Sequence, residues 1–326
     1  MEQSSRSRTN APPVLNACAE PDKVIWRVSD GRPGHDAQSK GLISALSDLL
    51  PCDQYDIRVP LSPGDYAFGL FKQFPAGKNF PDPDLIIGAG HSTHGPMLMA
   101  RHARGGKTAV LMRPSLPTRL FNLCLIPEHD KVIEADNIIM TEGPLNLSRP
   151  SSSLSPEHGL VLIGGESKHF HWEEETLIQQ LSSIVKHEDV NWTIADSRRT
   201  PESTRNLLRK LSSKKSPHFV YGDKNGPGIL ELLQRSAKVW VSEDSMSMIY
   251  EALSTGSRVG VLPLRRKSNS RLASVSESLA NKQMITMYKD WQASRTLSPP
   301  VKILNESARC AKALVDRLAW ISAKPS

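Results

Sequence analysis

The chain has 326 residues, 38% of them hydrophobic and 23% charged, with a formal net charge of +7. That length exceeds one ordinary core and suits two α/β domains, each able to bury a sizeable interior. No apolar run approaches the roughly 18 residues that a membrane span needs, and Cys18, Cys52, Cys124 and Cys310 form no C-x-x-C pair. A membrane-spanning chain, a disulfide scaffold and a thiolate metal site are thereby excluded, and a reducing, cytoplasmic setting is expected.

The charge is unevenly shared. The first 150 residues carry 16 basic and 16 acidic side chains, so the whole excess falls on the remainder. A basic half beside a neutral one suits a phosphate-bearing ligand or an anionic surface. Nucleic acid is not expected, because no basic stripe with interleaved aromatics accompanies the charge. Residues 1–22 lack the apolar stretch of a secretory signal, carry Glu2, Glu20 and Asp22 against a transit peptide, and read as a disordered tail.

From there strands and helices alternate. Apolar runs predict strands over 24–29, 55–59, 85–88, 108–112 and 121–126. Helical spacing predicts helices over 37–50 and from near Ser92 to before Gly105-Gly106. Residues 60–82, rich in Pro, Gly and aromatics, read as a long loop. A Ser/Pro-rich break at 147–158 reads as a linker. The pattern then restarts, with strands over 160–163, 192–195, 219–221, 239–242 and 259–262. Helices are predicted over 173–186, after Pro201, and over 228–234, 246–255 and 305–322. The expected fold is two Rossmann-like α/β domains facing across a cleft, residues 23–150 and 151–326, with the last helix able to pack back on the first domain. In such sheets ligands bind beyond the carboxyl ends of the strands.

The candidate motifs fall at those ends. In Ser242-Glu243-Asp244-Ser245-Met246-Ser247 a strand gives way to a helix whose free N–H groups, with Ser245 and Ser247, would hold a diphosphate. Glu251, about two turns beyond Glu243, can accept from both ribose hydroxyls. A plain Asp/Ser helix cap followed by a solvated Glu explains the same residues. Gly164, Gly165 and Ser167 follow the first strand of the second half, where paired glycines let a phosphate approach the backbone; a tight turn is the alternative. Ser197, Arg198 and Arg199 place two guanidinium groups at a neighbouring strand end, suited to phosphate or to surface pairing with Glu173–Glu175. Arg265, Arg266, Lys267 and Arg271 read as a solvated face or as a contact for an anionic membrane surface.

In the first half, Asp30 and His35 flank a Gly/Pro-rich loop. Histidine titrates near neutrality, which makes His35 the candidate general base; a helix-start contact with Asp36 is the alternative. Glu128, in Glu128-His129-Asp130, is a candidate carboxylate partner for His35, or a cap. His91 and His94 give H-x-x-H without a third ligand, so no metal is expected.

Five blocks carry a resemblance. SEDSMSMIYEALSTG with the following RVGVLPL resembles the donor-binding helix of GT-B-fold glycosyltransferases and UDP-N-acetylglucosamine 2-epimerases. SDGRPGHDAQSKGL, IPEHD, SRRTP and LIGGESKHFHW resemble the mitochondrial fission (elongated-mitochondria) protein family, over about residues 24–264. Asn122 stands where the family usually has Asp, and Asn225-Gly226-Pro227-Gly228 is a reduced form of its Asn-Pro-Tyr segment. The resemblance implies a GT-B-like fold and a UDP-linked nucleotide-sugar as substrate, with no metal or redox cofactor. It leaves two functions open: a nucleotide-sugar-dependent transferase with an unknown acceptor, or a non-catalytic scaffold, peripheral to a membrane, that kept the fold.

Overall fold

The computed structural model describes residues 22–320 except 63, 65–71, 131, 213–216, 220–227 and 268–270. The predicted tail and the reduced Asn225-Gly226-Pro227 segment lie outside the described residues.

Two six-stranded sheets, parallel throughout, organise the chain. The first contains β1 (Lys23–Ser29), β2 (Cys52–Arg58), β3 (Leu85–Ala89), β4 (Lys107–Leu111), β5 (Leu123–Pro127) and β6 (Ile138–Thr141), in the order β2-β1-β3-β4-β5-β6. The second contains β7 (Ser155–Leu162), β8 (Asn191–Ala195), β9 (His218–Phe219), β10 (Ser236–Ser242), β11 (Arg258–Leu262) and β12 (Thr286–Met287), in the order β12-β11-β10-β7-β8-β9. Central strands such as β3 are buried along their whole length, as a sheet covered on both faces requires.

Helices α1 (Pro33–Ser47) and α2 (His91–Arg104) cover the first sheet. The second is dressed by α3 (Glu174–His187), α4 (Glu202–Leu211), α5 (Ile229–Arg235), α6 (Met246–Thr255), α7 (Arg271–Asn281) and α8 (Tyr288–Ser294). The chain then turns back. Helix α9 (Glu306–Leu318) packs on α1 and β6, and its Cys310, Ala311, Leu314 and Val315 join the core formed by Ile25, Leu42, Leu46, Leu85 and Ile87. Glu306 accepts from the Glu142 amide at 2.9 Å, and the Ser307 hydroxyl donates to the Asn146 carbonyl at 2.7 Å. The last helix of the chain therefore completes the first core. We expect Leu314→Ala, at a fully buried position, to cost about 2–5 kcal/mol in urea unfolding despite lying far along the chain from that core's strands.

Several boundaries differ from the sequence expectation. Strand β7 begins at Ser155, inside the Ser/Pro-rich break, because Pro156 sits at the strand start, where a missing donor is tolerated. The ladder with β10 shifts register between Ser236 and Lys238, past that irregular start. Strands β6 and β12 and helices α7 and α8 were not anticipated; β6 and β12 are edge strands, and the two residues of β12 are too few for a period to register. Asn122 Oδ1 accepts from the Thr108 amide at 2.9 Å, an acceptor role that the family's Asp would fill equally.

Candidate functional site

The carboxyl ends of the two sheets meet at a cleft. Glu128, one residue past β5, pairs with Lys282, just past α7, at 3.6 Å. Tyr250 on α6 is buried against Gly143 of the connecting segment, and a Cβ at Gly143 would strike its ring. Asn146 Nδ2 donates to Ser254 Oγ at 3.2 Å. One face of α6 is thus fixed to the connection between the sheets. Burial, reinforced by Glu128, Glu142 and Glu306, pushes the Tyr250 phenol up to about 12, so it stays protonated.

On the first sheet, the loop after β1 turns through Gly31 at φ 73° into the Pro33 start of α1. His35 Nδ1 lies 2.9 Å from Asp30 Oδ2, which also accepts from Ser92 Oγ at 3.2 Å, while Asp30 Oδ1 accepts from the Arg32 amide at 3.1 Å. Burial pushes the Asp30 carboxyl up, but the bonds from Arg32, His35 and Ser92 outweigh it and hold the group below its ordinary value. An ionised carboxylate can only accept, so His35 Nδ1 is the donor to Asp30 and Nε2 is the nitrogen left to act on a ligand. The imidazole packs over Gly90, where φ is 89° and any Cβ would collide with its Cε1 and Nδ1. Gly90 and Ser92 were missed in the sequence; a glycine ending β3 beside a helix start was their signal.

The partner of His35 is therefore Asp30, neither Glu128 nor Asp36. Glu128 is half exposed and engaged with Lys282. Asp36 is held by Arg27 at 3.0 Å and by Ser29 Oγ at 2.5 Å. His94 is buried, with Nδ1 3.1 Å from Ser115 Oγ, and desolvation, with His91 adding, lowers its pKa. The side chain of His129 lies outside the described residues. No group of three or more His, Cys, Asp or Glu is placed to hold a metal ion among the described residues.

On the second sheet, most of the expected phosphate contacts are spent on protein. The Gly164 amide donates to Ser242 Oγ at 2.8 Å and the Gly165 amide to Asp244 Oδ2 at 3.1 Å. A Cβ on Gly164 would meet Asp244 and Ser245, and one on Gly165 the backbone of Arg199 and Thr200. These glycines admit neighbouring loops rather than a phosphate. Ser197 Oγ donates to the Gly164 carbonyl at 2.8 Å, and Ser167 Oγ accepts from the amides of His169 and Phe170, each at 3.2 Å. Arg199 donates through Nη2 to Asp244 at 2.7 Å and to Ser245 Oγ at 2.9 Å, and through Nη1 to the Gly165 and Glu166 carbonyls at 3.1 Å. Its partner is Asp244, not the Glu173–Glu175 run. The Glu243 carboxylate is buried and accepts from the Leu264 amide at 3.0 Å and from Ser276 Oγ at 2.6 Å.

What stays open is smaller and sharper. Helix α6 starts without a side-chain cap, so the first-turn amides at Met246 and Ser247 keep the unsatisfied donors of a helix end. Ser247 and Arg198 are exposed. Glu251 is half buried, makes no hydrogen bond or ion pair among the described residues, and is pushed by burial up to about 7. A carboxyl group desolvated without a protein partner is costly unless something else binds it.

The sequence signature of the family described as mitochondrial fission ELM1 matches residues 33–318. The chain belongs to the mitochondrial fission ELM1 family. A relative, the uncharacterized protein RP120 of Rickettsia prowazekii (strain Madrid E), is 25% identical and covers 71% of this chain and 81% of its own. Among solved structures, UDP-GlcNAc 2-epimerase from Methanocaldococcus jannaschii superposes with a TM-score of 0.58 at 14% identity, covering 91% of this chain and all of that one. Staphylococcus aureus MnaA, solved with UDP, gives 0.54 at 13% identity over 93% and 99% of the two chains. MurG of Acinetobacter baumannii gives 0.50 at 11% identity over 92% and 100%. This ELM1-family chain thus has the GT-B fold of two Rossmann-like domains. No helix among its described residues is long and apolar enough to cross a membrane.

Proposed function

We propose that this ELM1-family chain binds a UDP-linked sugar in its cleft and transfers the sugar to an acceptor hydroxyl. The observation that carries the reading is Glu251: a desolvated carboxyl with no partner among the described residues, one turn inside a helix that starts without a side-chain cap. Its two oxygens suit the ribose hydroxyls, and the helix start suits the diphosphate. MnaA, solved with UDP, and the archaeal epimerase solved with UDP-GlcNAc and UDP share the fold and support the choice of nucleotide.

On this reading His35 Nε2 takes the proton of the acceptor hydroxyl, whose oxygen attacks the anomeric carbon. The bond from that carbon to the diphosphate breaks, and its electron pair leaves with UDP. The charge gathers on the diphosphate, where the α6 amides and the exposed Arg198 can meet it. Asp30 holds the imidazole and stabilises it once protonated. The nucleotide-sugar is then a substrate, and no redox or metal cofactor takes part.

Ligand-observed NMR with UDP, UDP-N-acetylglucosamine, GDP-mannose and ADP tests the reading. Uridine nucleotides should bind the native chain and be lost in Glu251→Ala, while His35→Gln keeps the binding and loses turnover. Absence of binding by every nucleotide would refute it. Binding with no turnover in the native chain, against any hydroxyl acceptor, would favour a scaffold that kept the fold without the chemistry.

A further inference from the structure

A second polar groove lies outside the α6 start. The loops after β7 and β11 pair as a short antiparallel ribbon: Phe170 bridges Arg266, the His171 amide donates to the Arg265 carbonyl at 2.7 Å, and the Lys267 amide to the His169 carbonyl at 3.0 Å. Side chains alternate across such a ribbon. Phe170 is buried and clusters with Leu264 and Trp172, and Arg266 reaches Glu277 at 2.8 Å. The opposite face therefore carries His169, His171, Arg265 and Lys267. Cations aligned this way repel one another unless an anion lies among them.

The groove beside this face has a volume of about 500 Å³, with Lys168, His171, Arg265 and Lys267 on its wall and, among the described residues, Glu166 and Glu173 as its only carboxylates. Glu173 is taken by Arg265 Nε at 2.6 Å. Lys267 Nζ donates to the Ser167 carbonyl at 2.9 Å and makes no ion pair among the described residues, and exposed Lys168 makes none. The Trp172 indole is fixed by its bond to Thr204 Oγ1 at 2.8 Å, which gives the groove a rigid aromatic side. Lys168 and Lys267 outnumber Glu166, the groove carboxylate that makes no ion pair among the described residues, and with an imidazole and a flat apolar wall they supply the chemistry of an organic phosphate site.

We infer that this groove binds a phosphate monoester, through Lys168 and Lys267, separately from any nucleotide at α6. The phosphate can come from a soluble sugar phosphate or from a lipid headgroup. Isothermal titration of the full chain with N-acetylglucosamine 1-phosphate, and co-sedimentation with phosphatidylcholine vesicles with and without phosphatidic acid, separate those sources. Lys168→Ala/Lys267→Ala should weaken whichever probe binds by at least about tenfold, with UDP affinity and the thermal midpoint unchanged. Arg265→Gln should weaken it further. The inference fails if neither probe binds the native chain, if the double variant binds as tightly, or if UDP binding falls with the phosphate probe. Failure of UDP to bind at all would count against the nucleotide reading alone.

Discussion

Glu251→Gln will stabilise the unliganded protein by about 3 kcal/mol at pH 8 and weaken UDP binding about tenfold or more. Burial holds the native carboxyl near 7 against an ordinary 4.5. The unfolded chain therefore releases this proton first, and between about 4.5 and 7 the native state binds more protons than the unfolded one. Stability conferred by the protonated form is complete below 4.5 and is lost as pH rises through 7. Gln removes that loss, so urea unfolding should show the variant's advantage at pH 8 and none at pH 4. Binding should run the other way. If ribose hydroxyls donate to the ionised carboxylate, affinity for UDP rises as pH approaches 7 and then levels, with a proton released on binding below 7. The terminal phosphate of UDP titrates near 6, so the Gln variant should keep that pH dependence and lose the part the carboxyl contributes. A native profile that coincides with the variant's would remove Glu251 from the ligand, whatever the stability result. The opposite signs matter: a residue that destabilises the free protein and strengthens the complex is held there for binding, whereas a poorly solvated structural Glu would show only the first effect.

The fold was legible because its signal is local. Apolar runs of strand length, separated by helices at regular spacing, require a parallel sheet covered on both faces, and the Gly-rich loops marked the strand ends. Strand β6, Ile138–Thr141, escaped notice although it is as long as the expected strand at 85–88, because its three apolar residues sit between Asp136-Asn137 and Thr141-Glu142 and read as part of a polar connection. The site was half legible for a different reason. A hydroxyl, a carboxylate and a guanidinium at a strand end have the same chemistry whether they meet a phosphate or the next loop. Which they meet depends on partners such as Gly165 and Asp244, 79 positions apart, or Arg199 and Asp244, 45 apart. Nothing local distinguishes Ser197, spent on Gly164, from Ser247, left exposed. Asp30 and His35 stood out as residues flanking one loop, but their pairing did not: the expected partners were Glu128 and Asp36, and Glu128 is engaged by Lys282, 154 positions away in the second half of the chain.

Arg199→Met is expected to lower stability by about 2–3 kcal/mol and, through that, to weaken nucleotide binding without any contact to the ligand. The Asp244 side chain is fully buried, and Arg199 is its counter-charge at 2.7 Å. Asp244 would keep the Gly165 amide and the Ser242 and Ser245 hydroxyls as donors. Arg199 itself is 40% exposed, so water screens part of the attraction and the cost falls at or below the low end for a broken buried pair. Losing the guanidinium also frees the Gly165 and Glu166 carbonyls and the Ser245 hydroxyl, the ties that join the ends of β7, β8 and β10 and fix where α6 begins. A phosphate-binding arginine would behave otherwise: its loss would leave urea unfolding unchanged and flatten the salt dependence of UDP affinity. Asp244→Asn supplies the deciding comparison. With the buried charge removed, Arg199→Met should cost about 1 kcal/mol or less, and the double variant should be more stable than the sum of the two single changes allows. Strict additivity would mean that Arg199 and Asp244 do not act as a pair, and the role of Arg199 as a ligand for phosphate would return.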